Sequence, residues 1–353
     1  MFEIGSEFWT GSTPLDGEGV EQLLPAGMNA LYTLCGRTAL ELVLRDVLQC
    51  FSVRSAYLPS YCCHTMIEPF MTKGIDVTFY DVYFTNNGIA CDLDEDNDCD
   101  LVFLMDYFGF CDVKTVHRAK YQKQRGKCVI YDATHSMFCT GMDYSSYDYV
   151  FGSFRKWFAV NAGFCAKQGK WFDFPVLRDN GEYTKIRNSA FEQKKRFIAG
   201  ESLEKALFLQ AFTQAEEQLE TDYYAYRPDE DSSNTLETVN VDYIRRKRRE
   251  NAINIIDGIN GADKSMVCSP YTMVGADDCP LFVPLQVQSE LRMGLRKRLI
   301  DHKVYFPIHW PVSSLHRMND VSQEIYNTEL SFVCDQRYGK EDIIRSINII
   351  RSF

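Results

Sequence analysis

Lys156 lies in Gly152-Ser153-Phe154-Arg155-Lys156-Trp157-Phe158, 24 positions after Asp132. A neutral lysine amine attacks an aldehyde to form an imine, and an apolar setting among Phe154, Trp157 and Phe158 would disfavour the charged form. Asp132 ends the apolar run Cys128-Val129-Ile130-Tyr131. A carboxylate at the end of a buried strand can keep an aromatic ring nitrogen protonated by pairing with it. Gly36-Arg37-Thr38-Ala39-Leu40 reads as a helix start. Free N–H groups and the helix dipole favour a phosphate there, by about 0.3–1 kcal/mol at exposed sites and about 2 kcal/mol at partly buried ones. Arg37 adds charge-assisted hydrogen bonds, and Thr38 and Ser153 can supply hydroxyls. His135, three residues after Asp132, can hydrogen-bond a phenolic oxygen. An imine-forming amine, a ring-nitrogen carboxylate, a phosphate cup and a group for the phenolic oxygen are what a pyridoxal 5'-phosphate (PLP) site requires. Each residue also has a plainer reading. Lys156 can be a surface lysine, Asp132 a helix cap, His135 a structural donor and Thr38 a cap of its own helix.

These residues need a scaffold that gathers them. Apolar positions Leu40, Val43, Leu44, Val47 and Leu48 predict a helix after Gly36. Ser55–Pro59, Val77–Tyr80, Leu101–Met105, Cys128–Tyr131 and Tyr149–Phe151 read as strands. Helical patterns around Met66–Met71 and over Val113–Arg125 lie between them. Alternation of this kind predicts an α/β fold with a mostly parallel sheet, whose ligands bind beyond the carboxyl ends of the strands. Asp106, Asp132 and Ser153 each follow an apolar run and are expected at that rim. Asp92–Asp100 holds six acidic residues in nine positions and reads as a solvated loop. Further on, Leu203–Leu219, Val241–Ile256, Leu291–Leu299 and Asp342–Ile350 read as helices, with strands at Leu281–Leu285 and Val304–Phe306. Arg227–Asn234 has the composition of a linker. The expected division is a large domain over 1–235 and a smaller α+β domain over 236–353.

Bulk properties exclude several classes. The 353 residues are 45% hydrophobic and 25% charged, ordinary for a globular chain of about two domains. A net charge of −11 disfavours nucleic-acid partners, and Arg245–Arg249 is expected to be a solvated helix face. Thirteen cysteines without CxxC pairs make neither a zinc site nor a disulfide scaffold, and no metal site is expected. Met1-Phe2-Glu3-Ile4-Gly5 lacks the basic and apolar regions of a signal peptide, and no apolar run is long enough to span a membrane. A cytoplasmic setting with free thiols is the expectation. His302 and His309 are too far apart for a helical metal pair. His309, in Phe306-Pro307-Ile308-His309-Trp310-Pro311, has the look of a strand-to-loop turn near a substrate, with a packed residue as the plainer reading. No glycine-rich nucleotide motif or Gly-x-Ser-x-Gly occurs.

Taken in order, these segments resemble the DegT/DnrJ/StrS family of PLP-dependent sugar aminotransferases, of fold type I. Gly36–Leu40 is similar to the family's opening helix start, and Pro59-Ser60-Tyr61 to its Pro-Ser-aromatic stretch. Gly74–Val82 is similar to its GxxVxFxDV element. Tyr131-Asp132-Ala133-Thr134-His135 resembles EDAAQ/H, and Ser153–Lys156 the Ser-Phe…Lys segment. Lys247–Asn251, Tyr305–Trp310 and Leu330–Ile343 resemble the KRRxN, YxPLHW and RYxxEDI stretches, so the likeness runs over nearly the whole chain. It implies a large PLP-binding domain and a small C-terminal domain. Lys156 and Asp132 become catalytic, and Arg37, Thr38, Asp132, His135, Ser153 and Lys156 hold the cofactor. It implies a homodimer with its site at the subunit interface. The reaction implied moves an amino group from glutamate to a nucleotide-linked keto sugar in cell-surface polysaccharide biosynthesis. The chain departs from the pattern in three places. The Ser153–Lys156 spacer is short, and Asn161-Ala162-Gly163-Phe164 replaces an acidic, glycine-rich segment. Cys63 stands where an aromatic often stacks on the pyridine, with Tyr61 or His64 as substitutes. Alternatives are a PLP-binding regulatory or vestigial protein, a cofactor-free α/β scaffold, and a sugar dehydratase of the same fold. In the dehydratases histidine replaces the lysine, so Lys156 speaks against that one.

Overall fold

Leu101–Met105, Cys128–Asp132 and Tyr149–Ser153 are buried at every position. Strands of this kind need cover on both faces, which a parallel sheet between helices provides. The computed structural model describes residues 3–173, 177–260 and 266–353. Met1 and Phe2, part of the opening segment, lie outside the described residues.

The central sheet has eight strands. Its order is Asn29–Thr33, Gly163–Lys167, Tyr149–Ser153, Cys128–Asp132, Leu101–Met105, Ser55–Pro59, Asp76–Thr85 and Gly88–Asp92. The five strands from Tyr149–Ser153 to Asp76–Thr85 run parallel. The strands flanking them pair antiparallel. Strand Ser55–Pro59 sits between Leu101–Met105 and Asp76–Thr85, so the chain leaves it to one side and returns on the other. Such a reversal opens a crevice at the carboxyl ends of the strands.

The helix Gly36–Cys50 buries Leu40, Val43, Leu44 and Val47 against the strands Tyr149–Ser153 and Gly163–Lys167. A second sheet of three antiparallel strands, Val267–Cys268, Val283–Val287 and Glu329–Phe332, lies in the C-terminal third. The strand expected at Val304–Phe306 instead pairs, parallel, with Ile4–Gly5. The chain start is thereby carried to the C-terminal elements.

Two expectations are corrected. Arg227–Asn234 is not a linker throughout, because a helix runs over Glu230–Thr238 with Asp229 accepting from the Ser232 N–H at its start. Polar caps and loop composition look alike in sequence. Arg245–Arg249 is a solvated face only in part, at the exposed Arg246. Arg248 is 1% exposed and donates to the Leu281 carbonyl (2.8 Å) and to Gln336 Oε1 (2.9 Å). Arg245 donates to the Phe138 carbonyl at 2.9 Å, and Arg249 to the Gly275 carbonyl at 2.8 Å. Backbone carbonyls and the Gln336 side chain accept from these guanidinium groups.

Candidate active site

Asp132 is the last residue of the central strand Cys128–Asp132, and 4% of it is exposed. Its Oδ1 accepts from the Thr134 N–H at 2.8 Å. No cation pairs with it among the described residues, so burial pushes its carboxyl up to about 6 against these hydrogen bonds. A lone buried carboxylate beside a cavity is suited to a cationic ring nitrogen.

Lys156 closes the tight turn Phe154–Lys156 after strand Tyr149–Ser153. Phe154, Trp157 and Phe158 turn inward and are at most 1% exposed, while Lys156 is exposed on a cavity wall. The aromatics therefore anchor the turn rather than bury the amine. The Trp157 indole N–H donates to the Thr134 carbonyl at 2.7 Å, its ring stacks on Phe138 at 4.3 Å, and the Arg248 guanidinium lies 4.6 Å from its centre. The Trp157–Thr134 bond links the lysine turn directly to the loop of Asp132.

Both residues line one cavity of about 320 Å³. This lies at the lower end of the range of small-molecule sites. Gly36, Arg37, His135 and Ser153 line it too. The helix Gly36–Cys50 starts without any side-chain cap from Cys35. A Cβ on Gly36 would stand 3.0 Å from the Ser153 Cβ, so glycine lets the helix start close on that strand end. The Ser153 residue is 7% exposed, and its hydroxyl has no hydrogen-bond partner among the described residues. An uncapped helix start beside an unpartnered serine makes an anion cup. Arg37 lies at the edge of that cup. Its guanidinium pairs with Glu68 and sits 4.3 Å from the Tyr223 ring centre, leaving a buried Nε without a partner.

His135 is 4% exposed, and its Nδ1 accepts from the Phe108 N–H at 3.1 Å. Burial, with His309 and Lys156 adding to it, holds its pKa well below the usual value, so the ring is neutral. The proton therefore sits on Nε2, available to an acceptor.

The structure does not bring every expected group to the cavity. Thr38 is fully buried and donates to the Tyr223 carbonyl at 2.7 Å, so its side chain serves the helix packing and not the cup. Asp106 turns back from the strand ends to Thr115 Oγ1 (2.7 Å) and Tyr131 Oη (2.9 Å). Tyr61 packs with its ring centre 5.1 Å from that of Trp310 and 4.9 Å from that of Tyr326, while Cys63 and His64 reach the wall. Trp310, the end of the stretch that resembles YxPLHW, lines it as well, from a position distant in sequence. The altered segment after the lysine is tied down. Asn161 donates to Asn188 Oδ1 (2.7 Å) and Asp229 Oδ2 (2.8 Å) and takes Ser232 Oγ on its own N–H (2.8 Å).

Among the described residues no group of three or more His, Cys, Asp and Glu could hold a metal, and no helix is long and apolar enough to cross a membrane.

No sequence-family profile matches the chain. No curated protein matches it by sequence. Solved structures do match its fold. PseC of Helicobacter pylori, an aminotransferase involved in pseudoaminic acid biosynthesis, superimposes with a TM-score of 0.63 at 13% identity, over 98% of this chain and 92% of that one. DesI, determined in the presence of its TDP-sugar product, gives 0.63 at 12% identity, over 99% and 94%. NtdA of Bacillus subtilis, with its bound cofactor PMP, gives 0.57 at 13% identity, over 92% and 73%. The chain thus has the α/β fold of these aminotransferases, fold type I.

Proposed function

We propose that the protein is a PLP-dependent aminotransferase that moves an amino group from glutamate to a nucleotide-linked keto sugar, as a cytoplasmic homodimer serving cell-surface polysaccharide biosynthesis. The observation that carries the reading is the shared cavity. Lys156, the unpaired Asp132 carboxylate, the uncapped helix start at Gly36 and the unpartnered Ser153 hydroxyl all face it. Likeness in fold to sugar aminotransferases supports the same reading.

When bound, PLP supplies an aldehyde carbon for amino exchange and a ring that withdraws electrons from the reacting carbon. The chain's residues do the rest. The Gly36 helix start, Ser153 and Arg37 Nε receive the phosphate. Asp132, charged once a cation neutralises it, keeps the ring nitrogen protonated. His135 presents its Nε2 proton to the phenolic oxygen. Lys156 is the amine that would hold the aldehyde carbon, and the same amine would serve as the group that moves a proton at the reacting carbon.

A visible spectrum tests this. Purified protein given PLP is expected to show an absorption band that glutamate changes and Lys156→Ala abolishes. The variant should lose activity on the order of 10²–10⁴-fold, the contribution of a positioned proton-transfer group. A band that survives the substitution would refute the assignment.

A further inference from the structure

Two inner strands, Leu101–Met105 and Cys128–Asp132, lie side by side, and each is followed by a turn, over 107–110 and 134–138. A cysteine ends each turn, and its thiol reaches across to the other stretch. Cys139 Sγ donates to the Gly109 carbonyl at 3.4 Å, and Cys111 Sγ lies 3.7 Å from Met142 Sδ. The two thiols are within hydrogen-bond reach of each other. Cys111 is half-buried, Cys139 is 5% exposed, and both are free.

The backbone holds both turns in place. On one side the Phe108 N–H donates to His135 Nδ1 at 3.1 Å, tying one turn to the other. On the other side a C-terminal segment grips both. The Cys111 N–H donates to Asp278 Oδ1 (3.0 Å), the Thr140 N–H to the Asp277 carbonyl (2.9 Å), and the Cys279 N–H to the Gly109 carbonyl (3.1 Å). Gly109 has a φ of +80°, and a Cβ there would stand 2.0 Å from the Cys279 carbonyl oxygen, so glycine permits this approach. A disulfide orders two segments and brings their sulfurs to about 2.05 Å. Here the ordering is already supplied by other bonds, so little conformational entropy is left to lose.

We propose that Cys111 and Cys139 form a reversible redox site, which a small-molecule disulfide converts to an intramolecular bond that locks the two turns beside His135. The Cys111 thiolate, on the more accessible side, attacks one sulfur of the small disulfide, whose S–S bond breaks as one thiolate leaves. The Cys139 thiolate then attacks the Cys111 sulfur, and the second small thiolate leaves. The two protein thiols give up two electrons and two protons, and the small disulfide takes both as two thiols. The neighbouring Cys139 and burial push the Cys111 thiol above its usual value, so the exchange is slow. In a reducing setting the pair rests as a dithiol. The inference stands apart from the aminotransferase reading.

Peptide mapping by mass spectrometry tests it, on the full chain equilibrated with excess oxidised glutathione, alkylated and digested. Peptides joined through Cys111 and Cys139 are expected, and dithiothreitol should separate them. The linked protein should melt about 5 °C above the reduced one, because the bond closes a loop in the unfolded chain. Exchange of the Phe108 amide proton should slow about tenfold as its turn is locked. Cys111→Ser should abolish the link and both effects. Cys279→Ala, which removes the other thiol near Cys139, should keep them. Should that buried variant fail to fold, the map of the unaltered chain still identifies the partner. Glutathione adducts without a joined peptide, or a Cys139–Cys279 link in its place, overturn the proposal. So does a link that leaves the melting temperature unchanged, or a melting shift that persists in Cys111→Ser.

Discussion

The imidazole of His135 lies with its ring centre 5.5 Å from that of the Trp310 indole, the planes 24° apart, while its Nδ1 accepts from the Phe108 N–H at 3.1 Å. Stacking and hydrogen bond together fix the ring and its proton. His135 should therefore stay neutral across the physiological range, as burial dictates. Nitrogen NMR on the labelled protein is expected to show an Nε2-protonated imidazole unchanged from pH 6 to pH 8. His135→Ala should cost about 1–3 kcal/mol in urea unfolding, because it orphans the buried Phe108 N–H.

Asp132 gives the sharpest contrast between loaded and unloaded protein. Burial raises its carboxyl to about 6, above its unfolded value. Between about pH 4 and pH 6 the folded apoprotein keeps a proton that the unfolded chain releases. Its contribution to stability accordingly falls as pH rises through that window and is level above it. At pH 7.5, Asp132→Asn should stabilise the apoprotein, on the order of 2–3 kcal/mol. The same change should weaken PLP binding, since it removes the ring nitrogen's counter-charge. Thermal melts with and without PLP measure both. Destabilisation of the apo variant would contradict the account.

Cys63 should be the reactive thiol of the cavity. Burial raises its pKa, but His64, with Nδ1 4.0 Å away, and the Thr65 hydroxyl at 3.1 Å outweigh burial and lower it. Burial pushes the thiols of Cys62 and Cys91 up instead, the latter to about 12. Mass spectrometry after brief iodoacetamide treatment at pH 7 should find Cys63 labelled at least about tenfold faster than either, with PLP slowing it.

Gly163 sits where the strand after the lysine turn passes the start of the helix Gly36–Cys50. A Cβ there would come within 2.6 Å of the Cys35 carbonyl carbon and 2.7 Å of the Gly152 oxygen. Gly163→Ala is expected to cost about 1–3 kcal/mol. It should also weaken PLP binding, because the displaced Cys35 directly precedes Gly36. An unchanged melting temperature would show that the backbone yields there freely.

Local pattern made much of this protein legible. Fully apolar runs gave the inner strands, and the period of Leu40, Val43, Leu44 and Val47 gave the helix Gly36–Cys50. Those choices depend on burial and backbone geometry within a few residues. Residue type near strand ends brought Asp132, His135, Ser153 and Lys156 forward as candidates, and the fold lines one cavity with all four. Tertiary structure alone decided the rest. Thr38 turned to Tyr223, Arg248 was buried against carbonyls, and Trp310 arrived beside His135. Each of these depends on where a distant segment supplies an acceptor or a ring, and no local spacing encodes that. The contact between the Cys111 and Cys139 stretches is of the same kind, since the two thiols follow separate strands and meet only after folding.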